Sequence, residues 1–492
     1  MVRSRRSWQL ASFSILVGVT LSSLAAPASA STAQLTDVVV PPDPGCGKYF
    51  PEYCPPGSAT ALLYQGGRQA NRVSLAIGSG KVRISDRGAV IQPGRGCSRV
   101  NRHRVLCSPP QTGVYVAAGR GADRVSSGLP LGGDTVLEGP TGLIVDGGAG
   151  NDLLVGGAKG DLLYGGKGVD VLRGRGGGDR LYDSSPRRPP RSGDPTPFEQ
   201  GASVPLARVG PSRDVFDGGG DDGDTISYEG RGGGIRVDLA TTAKVGGARR
   251  ERDSVWRVEH ALGGGGGDRL AGNRRGNRLD AAHGDDTVLG RGGDDIIEDI
   301  SGRNMIAAGP GADTISLNGN STPLDQDPER ILCGSGADKV SGVLPNDFLD
   351  GDCDEAFLFP GERSRLGFIR SLLPLREGRP PFVLSTTLSC TNYMLDLLGC
   401  RLAFELRVDG PAGRRGTAPP RGTLLGSQSY TAAVGEQKPV GLDVSTAGLA
   451  ILRRHRALRV RVSITDSSPQ TGPPGLPPPS SPIGYLTVLR AP

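Results

Sequence analysis

The sequence is poor in large apolar side chains. Aromatic residues make up only 4% of its 492 positions, and there are two tryptophans and three methionines. A compact enzyme of this length draws its core from many more such groups. Histidine is as scarce, with four copies: His103, His260, His283 and His455. None belongs to an HExxH zinc-protease motif, and no GxSxG elbow or GxxxxGK(S/T) phosphate loop occurs. A catalytic role is therefore not expected. No long uncharged apolar run exists beyond the first residues, so no membrane span is expected. No basic stripe is interleaved with aromatics, and no nucleic-acid partner is expected.

Glycine and proline are abundant instead, at 79 and 39. Such loading belongs to collagen, disorder or a repeat solenoid, and no G-X-Y triplet runs on. Arg3, Arg5 and Arg6 precede an uncharged stretch over residues 7–36, and Ala28-Ser29-Ala30 supplies a small-x-small cleavage site. This reads as a secretory signal over residues 1–30, with an N-terminal anchor helix as the rival. Removing three arginines halves the formal net charge of +6. The basic balance then says little about partners.

The eight cysteines fall as near neighbours: Cys46/Cys54, Cys97/Cys107, Cys333/Cys353 and Cys390/Cys400. Sequence alone leaves the connectivity open. Short-range disulfides fit an exported chain. A zinc ribbon, the rival, needs CxxC knuckles, and none occurs.

A nine-residue period runs through the middle of the chain. From Gly147 the pattern is GGxGxDxUx, where U is a large apolar residue, and it returns at Gly156, Gly165 and Gly174. Read backwards through degenerate nonads starting at Glu138 and Leu129, the frame covers residues 129–182 and includes Asp134. A second run covers residues 263–316. Its sixth positions are Asp268, Asn277, Asp286, Asp295, Asn304 and Asp313. Isolated copies place Asp123 before Val125, Asp214 before Phe216, Asp224 before Ile226 and Asp338 before Val340.

A turn-strand unit this short cannot bury its apolar side alone, but stacked units share a continuous core. With two nonads per coil, turns eighteen residues apart lie one above another. Their carboxylates converge and repel unless a cation sits between them. Calcium, a hard ion that takes oxygen ligands, fits. The pairs expected to be strongest are Asp134/Asp152, Asp152/Asp170, Asp161/Asp179, Asp268/Asp286 and Asp295/Asp313. Asn277/Asp295 and Asp286/Asn304 keep one carboxylate and rank lower. Leu143 stands opposite Asp161, where no site is expected.

In these residues the chain resembles the hemolysin-type, or RTX, calcium-binding nonapeptide family. The resemblance implies a parallel β-roll. It also implies calcium ligation by Asp134, Asp152, Asp161, Asp170, Asp179, Asp224, Asp268, Asp286, Asp295, Asp313 and Asp338. The turn carbonyls of Gly148, Gly150, Gly166 and Gly168 join them. Toxins of that family leave by a C-terminal signal, whereas this chain has an N-terminal one.

The expected fold is all-β: RTX β-roll blocks with β caps and a C-terminal β-sandwich. The domains expected are a Cys/Pro-rich segment with a β cap (31–117), a first roll (118–182) and a Pro/Arg-rich linker (183–208). Single repeats with a strand insert (209–262), a second roll with a disulfide-stapled cap (263–360) and an immunoglobulin-like sandwich (361–492) follow. Period-two alternation from Cys400 to Val408 and from Leu458 to Ile464 marks the sandwich strands, and Ser445 caps a short helix. The function expected is that of a secreted calcium-binding protein that folds on the ion, in the extracellular space or at a cell surface. An adhesin or structural protein engaging a glycan or surface partner, with the rolls as a stalk, is the alternative. A polysaccharide hydrolase or lyase carrying RTX repeats is another.

Overall fold

The computed structural model describes residues 30–40, 57–128, 142–186, 212–317, 327–358, 371–372, 382–389, 400–411, 418–466 and 483–490, with short gaps inside some stretches. Nearly every element is a strand, and the one helix among the described residues is Thr446–His455. The first 29 residues, Asp134, Cys46, Cys54, Cys390 and most of the Pro/Arg-rich linker lie outside the described residues.

The repeat dictates the architecture. Each nonad gives a strand of about three residues, such as Leu153–Val155 or Arg269–Ala271, whose central side chain points inward. Leu154, Leu172 and Phe216 line one wall, and Leu163, Leu181, Ile226, Leu279, Ile297 and Ile315 the other, all fully buried. Strands eighteen residues apart pair in parallel, Leu154 with Leu172 and Leu279 with Ile297. Burying each such side chain contributes roughly 1.5–3 kcal/mol. No single coil could keep them from water.

One fourteen-stranded sheet runs the length of the roll. Within it Arg180–Tyr182 pairs with Thr225–Ser227, then His260–Leu262, then Arg278–Asp280. Both groups of nonads are thus rungs of one continuous sheet. The opposite wall consists of two ten-stranded sheets. The first reaches Asp253–Trp256, which the strand Lys244–Gly246 flanks in antiparallel. The second starts at Arg236–Asp238, in the insert between the two runs.

The expected frame over residues 129–182 needs correction at its start. Leu143–Ala149 pairs directly with Gly113–Ala117, and Leu153–Val155 with Arg124–Ser127. The coil between them spans 29 residues rather than eighteen. Leu143–Ala149 carries the end of the nonad starting at Glu138, with Val145 buried, and among the described residues no rung stands between it and Gly113–Ala117. The rolled coils also begin earlier than the nonads, because Gly57–Gln65 and Arg72–Gly78 already pair in parallel with the strands that follow.

Disulfides staple both flanks. Cys97–Cys107 closes the antiparallel hairpin of Cys97–Asn101 and Arg104–Cys107, as the spacing suggests. Cys333–Cys353 closes the last coils. In the C-terminal region, Cys400–Pro411, Leu424–Ala432, Ala457–Asp466 and Ile483–Arg490 form an antiparallel sheet. Ile483–Arg490 pairs in parallel with Phe348–Leu349, so this sheet prolongs one wall of the roll. A three-stranded sheet contains Phe382–Ser389 and Gln437–Asp443. Phe404, Leu406, Leu425, Leu442, Leu452 and Val460 are buried in this region. Ser445 caps the helix, its Oγ accepting the Gly448 N–H at 3.0 Å.

Candidate metal-binding turns

The sixth-position side chains face inward at the turns and are almost fully buried. They form ladders. In each, one carboxylate oxygen accepts the backbone N–H of the sixth residue in the preceding coil. The N–H of Asp152 donates to Oδ1 of Asp170, and that of Asp161 to Asp179, both at 2.8 Å. Asp268 donates to Asp286 at 2.6 Å and Asp295 to Asp313 at 2.8 Å. The asparagines keep the pattern, since Asn277 donates to Asp295 and Asp286 to Asn304, each at 2.7 Å. Leu143, which has no carboxyl, still donates to Asp161.

Two sides of the roll carry these ladders. On one side Leu143, Asp161, Asp179, Asp224, Glu259, Asn277, Asp295, Asp313 and Asp338 follow one another across both repeat runs. On the other side Asn71, Asp123, Asp152, Asp170, Asp214 and Asp253 form one ladder. Ile235, Asp268, Asp286, Asn304, Glu329 and Asp347 form a second. The ladder neighbour of Asp152 is Asp123, so the expected pair Asp134/Asp152 is replaced by Asp123/Asp152.

Four members went unrecognised as turn residues in the sequence: Asn71, Asp253, Glu259 and Glu329. Coil lengths of 25 to 52 residues hide them from a nine-residue ruler. Each nevertheless stands two residues before an inward apolar side chain: Val73, Val255, Ala261 and Ile331. That acid-x-apolar step was the usable signal.

The second carboxylate oxygen sorts the turns into two kinds. In Asp123, Asp152, Asp170, Asp179, Asp224, Asp286, Asp295 and Asp313, Oδ2 is buried and has no hydrogen-bond donor. These turns are open. In Asp161 and Asp268, Oδ2 accepts the N–H of Gly157 and Gly264 from the same turn, and Oδ1 of Asn277 accepts that of Asn273. These turns are closed. Hydroxyls close Asp214 and Asp253, through Ser212 and Tyr228.

Burial lifts the open carboxyls far above the ordinary aspartate range. Asp123, Asp170 and Asp313 rise to about 6, and Asp152, Asp224, Asp286 and Asp295 to about 7. Asp179 reaches about 9, from burial and then the charges of Asp161, Asp224 and Asp221, against the relief of its bond from Asp161. The chain alone does not stabilise these groups as anions.

The first glycine of each turn shows what shares this space. A Cβ on Gly290 would lie 2.3 Å from Oδ2 of Asp295 and 2.4 Å from the carbonyl oxygen of Ala308 in the next coil. A carboxylate oxygen and a carbonyl oxygen therefore converge from adjacent coils. Gly148 and Gly166 stack directly across the sheet, with φ of 91° and 98°. Gly150 and Gly168 stack in the same way, and a Cβ on Gly168 would lie 1.6 Å from the Gly150 carbonyl oxygen. This donor set, all oxygen and partly anionic, suits a hard divalent ion such as calcium.

Another acidic group lies where the first wall ends. Oxygens of Asp183, Asp214 and Asp253 fall within 4.8 Å of one another. The buried Arg231 guanidinium already meets Asp183 at 2.6 Å and Glu251 at 2.9 Å. Among the described residues no helix is long and apolar enough to cross a membrane.

No curated protein matches the chain. A family model, the RTX calcium-binding nonapeptide repeat, matches in four copies over residues 146–181 and 262–297. Those residues hold the turns from Gly147 to Asp179 and from Gly263 to Asp295, whose geometry is described above. The two segments are RTX calcium-binding nonapeptide repeats.

Proposed function

We propose that this is a secreted, non-catalytic calcium-binding protein whose roll orders when its turns take up the ion. The observation that carries the proposal is the row of buried, donorless Oδ2 atoms on Asp152, Asp170, Asp179, Asp286, Asp295 and Asp313. A buried carboxylate without a partner costs several kcal/mol and otherwise stays protonated. When bound, calcium supplies two positive charges and accepts oxygen ligands from adjacent coils. The aspartates hold the coil spacing through Oδ1 and present Oδ2. The glycines admit the converging carbonyls. Without the ion, the acidic ladders oppose stacking and the roll loses order.

Two features support a location outside the cell. The basic, then apolar N-terminal stretch has the layout of an export signal. The disulfides Cys97–Cys107 and Cys333–Cys353 suit an oxidising compartment. Extracellular calcium modules bind at about 10⁻⁴–10⁻³ M, a range in which export itself acts as the switch.

The test is far-UV circular dichroism of the mature chain during a calcium titration, with magnesium as control. The β signal should grow with calcium and not with magnesium. A spectrum unchanged by calcium would refute metal-coupled ordering.

A further inference from the structure

Charge is spread unevenly along this chain. Residues 57–128, which build the first coils and the stapled hairpin, carry eleven lysines and arginines against two acids, Asp86 and Asp123. All eleven basic residues are exposed, and both aspartates are buried. Of the eleven, only Arg95 meets a carboxylate of a described residue, that of Asp37. Farther along the roll exposed arginines have acidic partners: Arg257 pairs with Asp217, Arg278 with Glu298 and Arg303 with Asp327. Protein surfaces ordinarily intersperse the two signs, because like charges repel. A face of one sign, kept clear of acids, attracts an anion.

The sheet gathers these cations on one side. In the strands Arg72–Gly78, Lys81–Asp86, Arg104–Cys107 and Arg124–Ser127, the side chains of Val73, Val82, Val105 and Val125 point into the roll and are buried. Arg72, Arg83, Arg104 and Arg124 therefore point outward. Strand pairing sets them around a row of hydroxyls. Ser85, Ser74 and Ser126 stand beside one another on three neighbouring strands. Arg104 continues that row at one end, opposite Ser85, and Arg173 closes it at the other, beyond Val155. Arg72 and Arg124 are partners on one side of the row, and Arg83 lies on the other. Neighbouring strands are about 4.8 Å apart, and same-face residues of one strand about 7 Å. Short polar side chains thus form a track across the strands, bordered by guanidinium groups.

The same coils lack what other polyanion sites use. Their tyrosines, Tyr64 and Tyr115, are buried, and they contain no tryptophan or phenylalanine. Unpaired nucleic-acid bases stack on exposed rings, and membrane-surface segments anchor through them. Guanidinium forks match carboxylates and other planar or tetrahedral oxyanions. Serine hydroxyls exchange hydrogen bonds with the hydroxyls of a sugar.

We infer that the outer face of the first coils binds an acidic polysaccharide. Arg72, Arg83, Arg104 and Arg124 grip its carboxylate or sulfate groups, and Ser74, Ser85 and Ser126 meet its hydroxyls. The acidic turns inside the roll and this basic face outside it serve different ligands. The inference does not rest on the calcium reading and holds equally for a chain that takes up no calcium.

The test measures binding of the full mature chain, in calcium buffer, to immobilised hyaluronate and dextran sulfate, with neutral dextran as control. The chain should bind at least one acidic polymer and not the neutral one, and added salt should weaken the binding. Arg72→Gln, Arg83→Gln and Arg124→Gln together should weaken it by about tenfold or more, because charge-assisted hydrogen bonds are lost. The melting temperature should stay near the parent's, since all three side chains are exposed. Arg257→Gln, Arg278→Gln and Arg303→Gln together remove the same charge elsewhere and should leave binding near the parent's. No binding to either acidic polymer, or an equal loss in the two triple variants, overturns the assignment. Tighter binding to single-stranded DNA or to phosphatidylserine vesicles at the same salt overturns the choice of partner.

Discussion

The backbone N–H of Asp152 donates to Oδ1 of Asp170, eighteen residues further on, at 2.8 Å. One carboxyl therefore does two jobs: Oδ1 joins the coils, and Oδ2 stays open. The jobs separate by substitution. Asp170→Ala removes both, leaves the Asp152 N–H without an acceptor, and should cost about 1–3 kcal/mol in chelator. Asp170→Asn keeps Oδ1 and removes the charge. It should be at least as stable as the parent in chelator and gain less from calcium. Urea unfolding with and without calcium reads both. Equal behaviour of the two variants would contradict the division of labour.

Open and closed turns should respond differently. Asp179→Asn removes an open carboxylate and should reduce the stabilisation by calcium. Asp161→Asn changes a closed turn and should leave that stabilisation near the parent's. This revises the ranking drawn from spacing alone, which treats Asp161 and Asp179 as equals. Melting temperatures in chelator and in calcium decide it.

Burial raises Asp152 to about 7 and Asp179 to about 9 in the metal-free chain. An unfolded aspartate titrates near 4. The folded state therefore binds more protons between these limits, and metal-free stability is greatest below pH 4 and falls as pH rises towards 7–9. Calcium competes with those protons, so its stabilising effect should grow from pH 5 to pH 8, with protons released on binding. A pH series of unfolding curves in chelator shows the fall; a flat series rules it out.

Gly168→Ala places a Cβ 1.6 Å from the Gly150 carbonyl oxygen, at a φ of 131°. Backbone strain alone costs about 1–3 kcal/mol, before the clash is relieved. The first run should unfold earlier with or without calcium. A melting temperature equal to the parent's in both conditions would show that the turn adapts.

Reducing the disulfides should lower stability independently of the metal. The loops of Cys97–Cys107 and Cys333–Cys353 span 10 and 20 residues. Closing loops of this size contributes about 2–3 kcal/mol each on the chain-entropy estimate. Melting in reductant, with calcium held constant, measures the loss.

Much of this molecule is written in its period. The inward Leu154, Leu172, Leu279 and Ile297 and their turn aspartates follow from nine-residue spacing, because each unit repeats the same burial problem. Where coil length varies, the ruler fails. Asp253 and Glu259 continue the ladders after an insert, although the glycines that flag a turn are missing around them. The frame also runs too far backwards. Residues with the right identity, such as Asp134, are counted, while the backbone links Asp152 to Asp123. The open or closed state of a turn is not marked by its aspartate. Turn 156–161 has Lys159-Gly160 before Asp161 where turn 165–170 has Gly168-Val169 before Asp170, and only in the first does a neighbouring N–H turn towards Oδ2.

The most direct test of calcium between coils is anomalous diffraction from crystals grown with calcium. Peaks should stand in two files along the roll, beside Oδ2 of Asp152, Asp170, Asp179, Asp286, Asp295 and Asp313, and none beside Asp161 or Asn277. Peaks confined to exposed acids such as Asp285 and Asp294, with the ladder carboxylates bare, would contradict the account.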